Sequence, residues 1–264
     1  MRKRAAERIV HIALELACGV LIGFTLGLIG GGGSILAVPL MVYVVGVKNA
    51  HVAIGTSAMA VAVNALAGLV SHARAGTVKW KCAGIFAPCG VAGALIGAAF
   101  GKAVNGEKLL LCFALLMVVV GVLMLRGRRN KGEAGAACNR QNMPRVMMAG
   151  AGTGVLSGFF GIGGGFLIVP ALIACTRMPI LNAVGTSLVA VAALGASTAL
   201  SYMLSGYVDW VMGLLFVAGG VIGSFLGTRA AKRLSGSGPA LTTFFACVIF
   251  MVAAYMIWKS LAAL

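Results

Sequence analysis

Apolar residues run along this chain in long blocks rather than in the alternation of a half-buried strand or the single stripe of a soluble helix. In the first half the blocks cover roughly residues 9–29, 35–47, 52–70, 83–101 and 109–125, and in the second roughly 146–160, 166–175, 183–204, 211–230 and 241–258. A helix needs about 20 apolar residues to cross a bilayer. The second block of each half is too short to do so alone. Blocks one and two of each half therefore predict one discontinuous element, a re-entrant hairpin or a tilted interrupted pair, and the other three predict spanning helices. The expected fold is an all-α polytopic membrane protein: a first transmembrane repeat over residues 1–126, a basic linker over 127–145 and a second repeat over 146–264.

The blocks recur because the sequence does. Gly30-Gly31-Gly32-Gly33-Ser34-Ile35-Leu36-Ala37-Val38-Pro39 returns as Gly161-Ile162-Gly163-Gly164-Gly165-Phe166-Leu167-Ile168-Val169-Pro170, and Gly55-Thr56-Ser57 returns as Gly185-Thr186-Ser187. The offset is 131 residues at the prolines and 130 at the second motif, a single-residue indel. A Gly/Pro-interrupted apolar segment at the same place in both halves points to the central site of a transporter.

Composition agrees with the pattern. The 264 residues are 61% hydrophobic and 10% charged, and mean hydropathy is +1.05, against about half apolar and a quarter charged in soluble domains. The net charge of +16 does not mark a nucleic-acid binder, because the basic residues lie between apolar blocks and not on one compact face. Arg2, Lys3 and Arg4 before an apolar run imitate a signal peptide, yet residues 146–160 occupy the same place in the second repeat, so the segment is expected to be retained. The basic residues also bear on topology. With an odd number of crossings per half and both termini outside, Arg74, Lys79, Lys81, the linker, Arg177, Arg229, Lys232 and Arg233 fall inside and Asp209 outside. This inverted arrangement is the expectation; four crossings per half with the N-terminus inside is the alternative, and the basic N-terminal arm favours it. Between six and ten crossings are compatible with the blocks.

The candidate chemistry is sparse and duplicated. Glycine lets backbone bend at membrane depth and approach a ligand. A helix resuming at Ser34 or Gly165 would offer free N–H groups and a positive dipole end to an anion. Pro39 and Pro170 leave the carbonyls of Ile35 and Phe166 without their helical partners. The hydroxyls of Thr56, Ser57, Thr186 and Ser187 could donate to an oxyanion, or bond across helices and back to their own backbone. Lys48, His51 and Arg177 stand just before the Gly-Thr-Ser motifs, as steering charges or interface anchors. Glu15, one turn after His11, is an intramembrane carboxylate and a coupling candidate. Asp209 reads as a helix N-cap, and Trp80 and Trp210 as interfacial anchors. Gly93, Gly97 and Gly101, with Gly219, Gly223 and Gly227, read as helix-packing faces on which alanine would still pass as small. The seven cysteines form no CxxC pair, and neither a disulfide nor a metal framework is expected. No cofactor is implied, and with neither a P-loop, HExxH nor a carboxylate pair the chain does not read as an enzyme.

The doubled glycine stretch leading into Pro39 and Pro170, each followed by Gly-Thr-Ser, resembles the TauE/SafE family of sulfite exporters over nearly the whole chain. The resemblance implies a multi-pass inner-membrane transporter of small organosulfur anions such as sulfite or sulfoacetate. It singles out Gly30, Gly32, Gly33, Pro39, Gly55, Thr56 and Ser57 with Gly161, Gly163, Gly164, Pro170, Gly185, Thr186 and Ser187. Ser34 and Gly165, opposite each other in the two copies, join these as expected substrate contacts. The resulting expectation is a secondary transporter exporting a small oxyanion by alternating access around a midplane site, with the lipid bilayer and the anion as its partners and no nucleic acid. A passive anion channel, or a carrier of thiosulfate or sulfide, are the alternatives. Oligomeric state is not legible.

Overall fold

The structure, a computed structural model, describes residues 2–104, 106–127, 138–160, 165–234 and 238–261. Its elements are helical throughout the described residues. Helix α1 spans Arg2–Ile29; α2 covers residues 30–45; α3 is Ala50–Arg74, α4 Trp80–Ala103 and α5 Gly106–Gly127. In the second half α6 is Met143–Phe160, α7 Gly165–Thr176, α8 Ile180–Met203, α9 Trp210–Leu234 and α10 Gly238–Leu261. Among the described residues five segments are long and apolar enough to cross a membrane: Val10–Ile29, Ala50–Arg74, Trp80–Ala103, Ile180–Met203 and Trp210–Ala231. Trp80 and Trp210 open α4 and α9 with largely exposed side chains, as interfacial anchors do. Asp209 accepts the N–H of Met212 at 3.1 Å and so caps α9.

The first break differs from expectation in form. The chain winds on without a gap: α1 runs to Ile29, and α2 begins as a 3₁₀ helix over Gly30–Leu36. The reversal is made at Gly30, whose φ of +66° is left-handed. After a single α-turn at Ala37–Pro39, residues Leu40–Val45 are wound as a π-helix. Proline has no N–H for the carbonyl four residues back, and a shifted hydrogen-bond register follows it here. Pro170 sits within the regular helix α7, so the two copies answer the same residue differently. Both half-helices end in a left-handed residue at matching places, Gly46 (φ 88°) and Arg177 (φ 55°). Arg177 thus serves the backbone as a cap, its N–H bonding to Ile173 O at 2.8 Å.

Helices pack across the halves. Gly19, Gly23 and Gly27 of α1 lie against the backbone of Phe216, Gly220 and Ser224 on α9, and Gly219, Gly223 and Gly227 of α9 against Leu16, Val20 and Phe24. The numbers rise together, so α1 and α9 are parallel. Gly93, Gly97 and Gly101 of α4 meet Ala151, Val155 and Phe159 of α6 in the same parallel sense. The sequence pattern disclosed one side of each interface; the opposing stripes, with Gly150, Gly154 and Gly158 on α6, complete them. The expected tolerance of alanine is corrected, since a Cβ on Gly97 would fall on the carbonyl of Val155. In the centre α3 packs on its repeat mate α8, with Gly68 at Leu188 and Gly195 at Ala58 and Ala62, so these two run antiparallel.

The absence of a disulfide is also corrected. Cys82 of α4 and Cys138 of the linker are bonded, with Cα atoms 5.3 Å apart. They are 56 residues apart in sequence, and the pairing depends on α6 lying along α4, which no local spacing reveals.

Candidate functional site

The two broken elements meet at their starts. The backbone of Gly31, one residue past the reversal of α2, lies directly against that of Gly165, the first residue of α7. Neither position could carry a side chain, because a Cβ on either would overlap the other backbone. Ser187 of α8 joins them: the Gly31 N–H donates to its Oγ at 3.2 Å, and that hydroxyl donates to Val184 O at 2.8 Å. Ser34 Oγ donates to Gly31 O at 2.9 Å. Gly30, Gly33, Ser34 and Ser187 are all buried, so this centre is enclosed by protein. Gly33 lies against Thr25 and Leu26, which folds α2 back along α1 as a hairpin. Gly32 sits within the 3₁₀ turn. Gly161, Gly163 and Gly164 lie outside the described residues.

The threonines act elsewhere. Thr186 Oγ1 accepts the N–H of Lys79 at 3.0 Å, and its mate Thr56 accepts that of Asp209 at 2.9 Å. Each ties a helix of one half to the turn that precedes a helix of the other. Gly185 and Gly55 make room for those turns, against Thr77 and Tyr207 respectively. The Gly-Thr-Ser motif is therefore a docking device in its first two residues. Its serine faces inward, although Ser57 Oγ bonds its own helix at Ile54 O, 2.9 Å away.

The candidate steering and coupling groups are dispersed. His11 is exposed and Glu15 half-buried on α1; Lys48 is exposed in the turn after α2; Arg177 is the exposed cap described above. His51, in the first turn of α3, is half-buried with its Nδ1 unbonded among the described residues.

Among the buried polar groups that sequence reasoning missed are Asn64, His72 and Tyr202. Asn64 of α3 is fully buried, and both ends of its amide lack a hydrogen-bond partner among the described residues. It packs on the backbone of Gly220, as its repeat mate Leu194 packs on Gly90. His72, near the end of α3, has Nδ1 3.0 Å from Thr77 Oγ1 and Nε2 3.5 Å from Gly27 O. Its mate Tyr202 is equally buried, with a hydroxyl that has no partner among the described residues. A lone asparagine or histidine inside an apolar block was the available signal for the first two.

Comparison with known proteins gives a single family. A family model described as sulfite exporter TauE/SafE matches residues 15–256. A probable membrane transporter protein of Xylella fastidiosa is 50% identical over 260 residues, covering 97% of this chain and 98% of the relative. The probable membrane transporter protein YunE of Bacillus subtilis is 27% identical over 273 residues, covering 96% of this chain and 99% of its own. One from Methanocaldococcus jannaschii is 24% identical over 249 residues, covering 87% and 90%. No solved structure matches.

Proposed function

Because the chain belongs to the sulfite exporter TauE/SafE family and is a multi-pass membrane transporter, we propose that it exports a small oxyanion, sulfite or an organosulfonate such as sulfoacetate, across the cell inner membrane by alternating access. The observation that carries this reading is the meeting of Gly31 and Gly165 beside Ser187, which brings the starts of two half-helices from opposite halves to one buried place. Backbone irregular enough to bind at membrane depth is tolerated where protein encloses it, and helix starts favour negative charge. In this reading Gly30, Gly32, Gly33, Ser34 and Ser187 form one half-site. Ser57, Gly161, Gly163, Gly164 and Gly165 form the other, and Gly55, Thr56, Gly185 and Thr186 hold the flanking turns. The units are a first repeat over 1–126 and a second over 146–264, joined by the basic linker 127–145.

An inverted relation between the repeats is part of the proposal. It is supported by the antiparallel packing of the mates α3 and α8 and by the parallel pairing of α1 with α9 and of α4 with α6. Following these directions, one end of the bundle collects Arg74, Lys79, Lys81, Arg140, Arg145, Arg177, Arg229 and Arg233, while Asp209, Lys48, Lys102, the start of α1 and the end of α10 lie at the other. The excess of basic residues at the first end supports placing it in the cytoplasm.

The test is an anion panel on purified protein, read first as thermal stabilisation and then as flux in proteoliposomes. Saturable counterflow of sulfite or sulfoacetate is the expected result. Non-saturating flux would make the protein a channel, and no response to any oxyanion would overturn the substrate class.

A further inference from the structure

The two ends of the bundle differ at matching positions. At the end carrying the turn 75–79, His72 and Thr77 are bonded to each other and His72 Nε2 reaches Gly27 O. Their mates at the opposite end, Tyr202 and Tyr207, leave that arrangement open. The ring of Tyr207 lies 5.4 Å from that of His51, and the ring of Tyr202 6.4 Å from both. Tyr202 is fully buried, yet its hydroxyl has no partner among the described residues, and neither has Nδ1 of His51. Lys102, from the end of α4, stands with Nζ 5.9 Å from the Tyr202 ring centroid. Its ammonium donates to Ser201 O at 3.2 Å and to the hydroxyls of Ser201 and Ser205 at 3.1 Å each. These acceptors are neutral, so they solvate the charge without cancelling it. A lysine near a helix C-terminus bonds carbonyls in this way, but that leaves the unbonded tyrosine hydroxyl and imidazole nitrogen unexplained, and buried polar groups without partners are rare.

We infer that Lys102, Tyr202 and His51 form a second anion site, distinct from the Gly31–Gly165 centre, which receives a small oxyanion at the end of the bundle where α1 begins. The phenol O–H and an imidazole N–H supply donors, and the ammonium supplies uncancelled positive charge, exchanging its exposed bond to Ser205 for the ligand. Half-buried His51, Tyr207 and Lys102 surround buried Tyr202 at this end of the bundle. The site rests on the reading that the cargo is an oxyanion.

Isothermal titration of sulfite, sulfate and sulfoacetate into the full chain in lipid nanodiscs tests it. Tyr202→Phe deletes only an unbonded hydroxyl, so a structural role predicts an unchanged or higher melting temperature and unchanged binding. The site predicts two binding events per chain in the wild type and, in Tyr202→Phe, that unchanged or higher temperature together with at least fivefold weakening of one event while the other keeps its affinity. Lys102→Gln should weaken the same event at least tenfold, while Lys259→Gln, which removes a charge held over Tyr43 and Tyr255, should not. A single event in the wild type, or both events at wild-type affinity in folded Tyr202→Phe or Lys102→Gln, overturns the site and leaves the transport reading standing. A wild type that binds no oxyanion of the panel overturns both.

Discussion

Side chains at repeat-related positions show where the two halves have parted. Asn64 and Leu194 occupy matching places on α3 and α8, each against a glycine of a neighbouring helix, but only the amide carries unbonded polar atoms. A buried unsatisfied group costs about 1–3 kcal/mol, and the matching place on α8 is held by a leucine, Leu194, packed on Gly90. Asn64→Leu is therefore expected to raise the melting temperature in nanodiscs; a fall would mean that the amide has a partner in the membrane. The hydroxyls of Thr186 and Ser187 should separate in the same assay. Thr186→Val strips Lys79 N–H of its acceptor and should cost stability by about 1–2 kcal/mol. Ser187→Ala, beside Gly31, should weaken anion binding by ~1.5–3 kcal/mol if the hydroxyl reaches the charged ligand. Unchanged sulfite affinity in Ser187→Ala would confine that serine to packing.

Between helices, glycine position decides everything and glycine content nothing. Gly152 and Gly154 stand two residues apart on α6; a Cβ on the first would meet open space, while one on the second would overlap the backbone of Gly90. Gly152→Ala should stabilise by up to about 1 kcal/mol through helix propensity, and Gly154→Ala should destabilise by roughly 1–3 kcal/mol through overpacking. Equal melting temperatures for the two variants would contradict the α4–α6 interface. That helices form was legible from the blocks of apolar sequence, because membrane helices are set by local length and hydropathy; which of them span was less so, since Val10–Ile29 is long enough to cross alone while, among the described residues, the apolar stretches Lys108–Leu123 and Ile249–Lys259 of α5 and α10 are shorter. The breaks were legible because glycine and proline act on their own backbone, although the 3₁₀ and π winding of α2 was not, since Pro170 leaves α7 regular. What joins Cys82 to Cys138, or sends Thr56 to Asp209 and not to a ligand, depends on helices distant in sequence. Asn64, His72 and Tyr202 were hidden for the same reason: an unbonded atom is defined by its surroundings.

Across the molecule, the direction of each helix turns the basic residues into a topology experiment. A reporter fused after Leu264 should lie outside and one inserted in residues 131–141 inside; the same side for both would sink the odd-crossing arrangement. The exchange of partners between halves also has a consequence in time. The glycine face of α1 at Gly19, Gly23 and Gly27 is complementary to a helix that leaves the ribosome almost two hundred residues later. At ~5–20 residues per second of synthesis, α1 waits roughly 10–40 s for α9. Throughout that interval the nascent first half carries an unmatched small-residue groove in the bilayer, open to lipid, to the insertion machinery or to another nascent chain. The first repeat made alone should therefore be short-lived in the cell, and the second repeat supplied in trans should prolong its life.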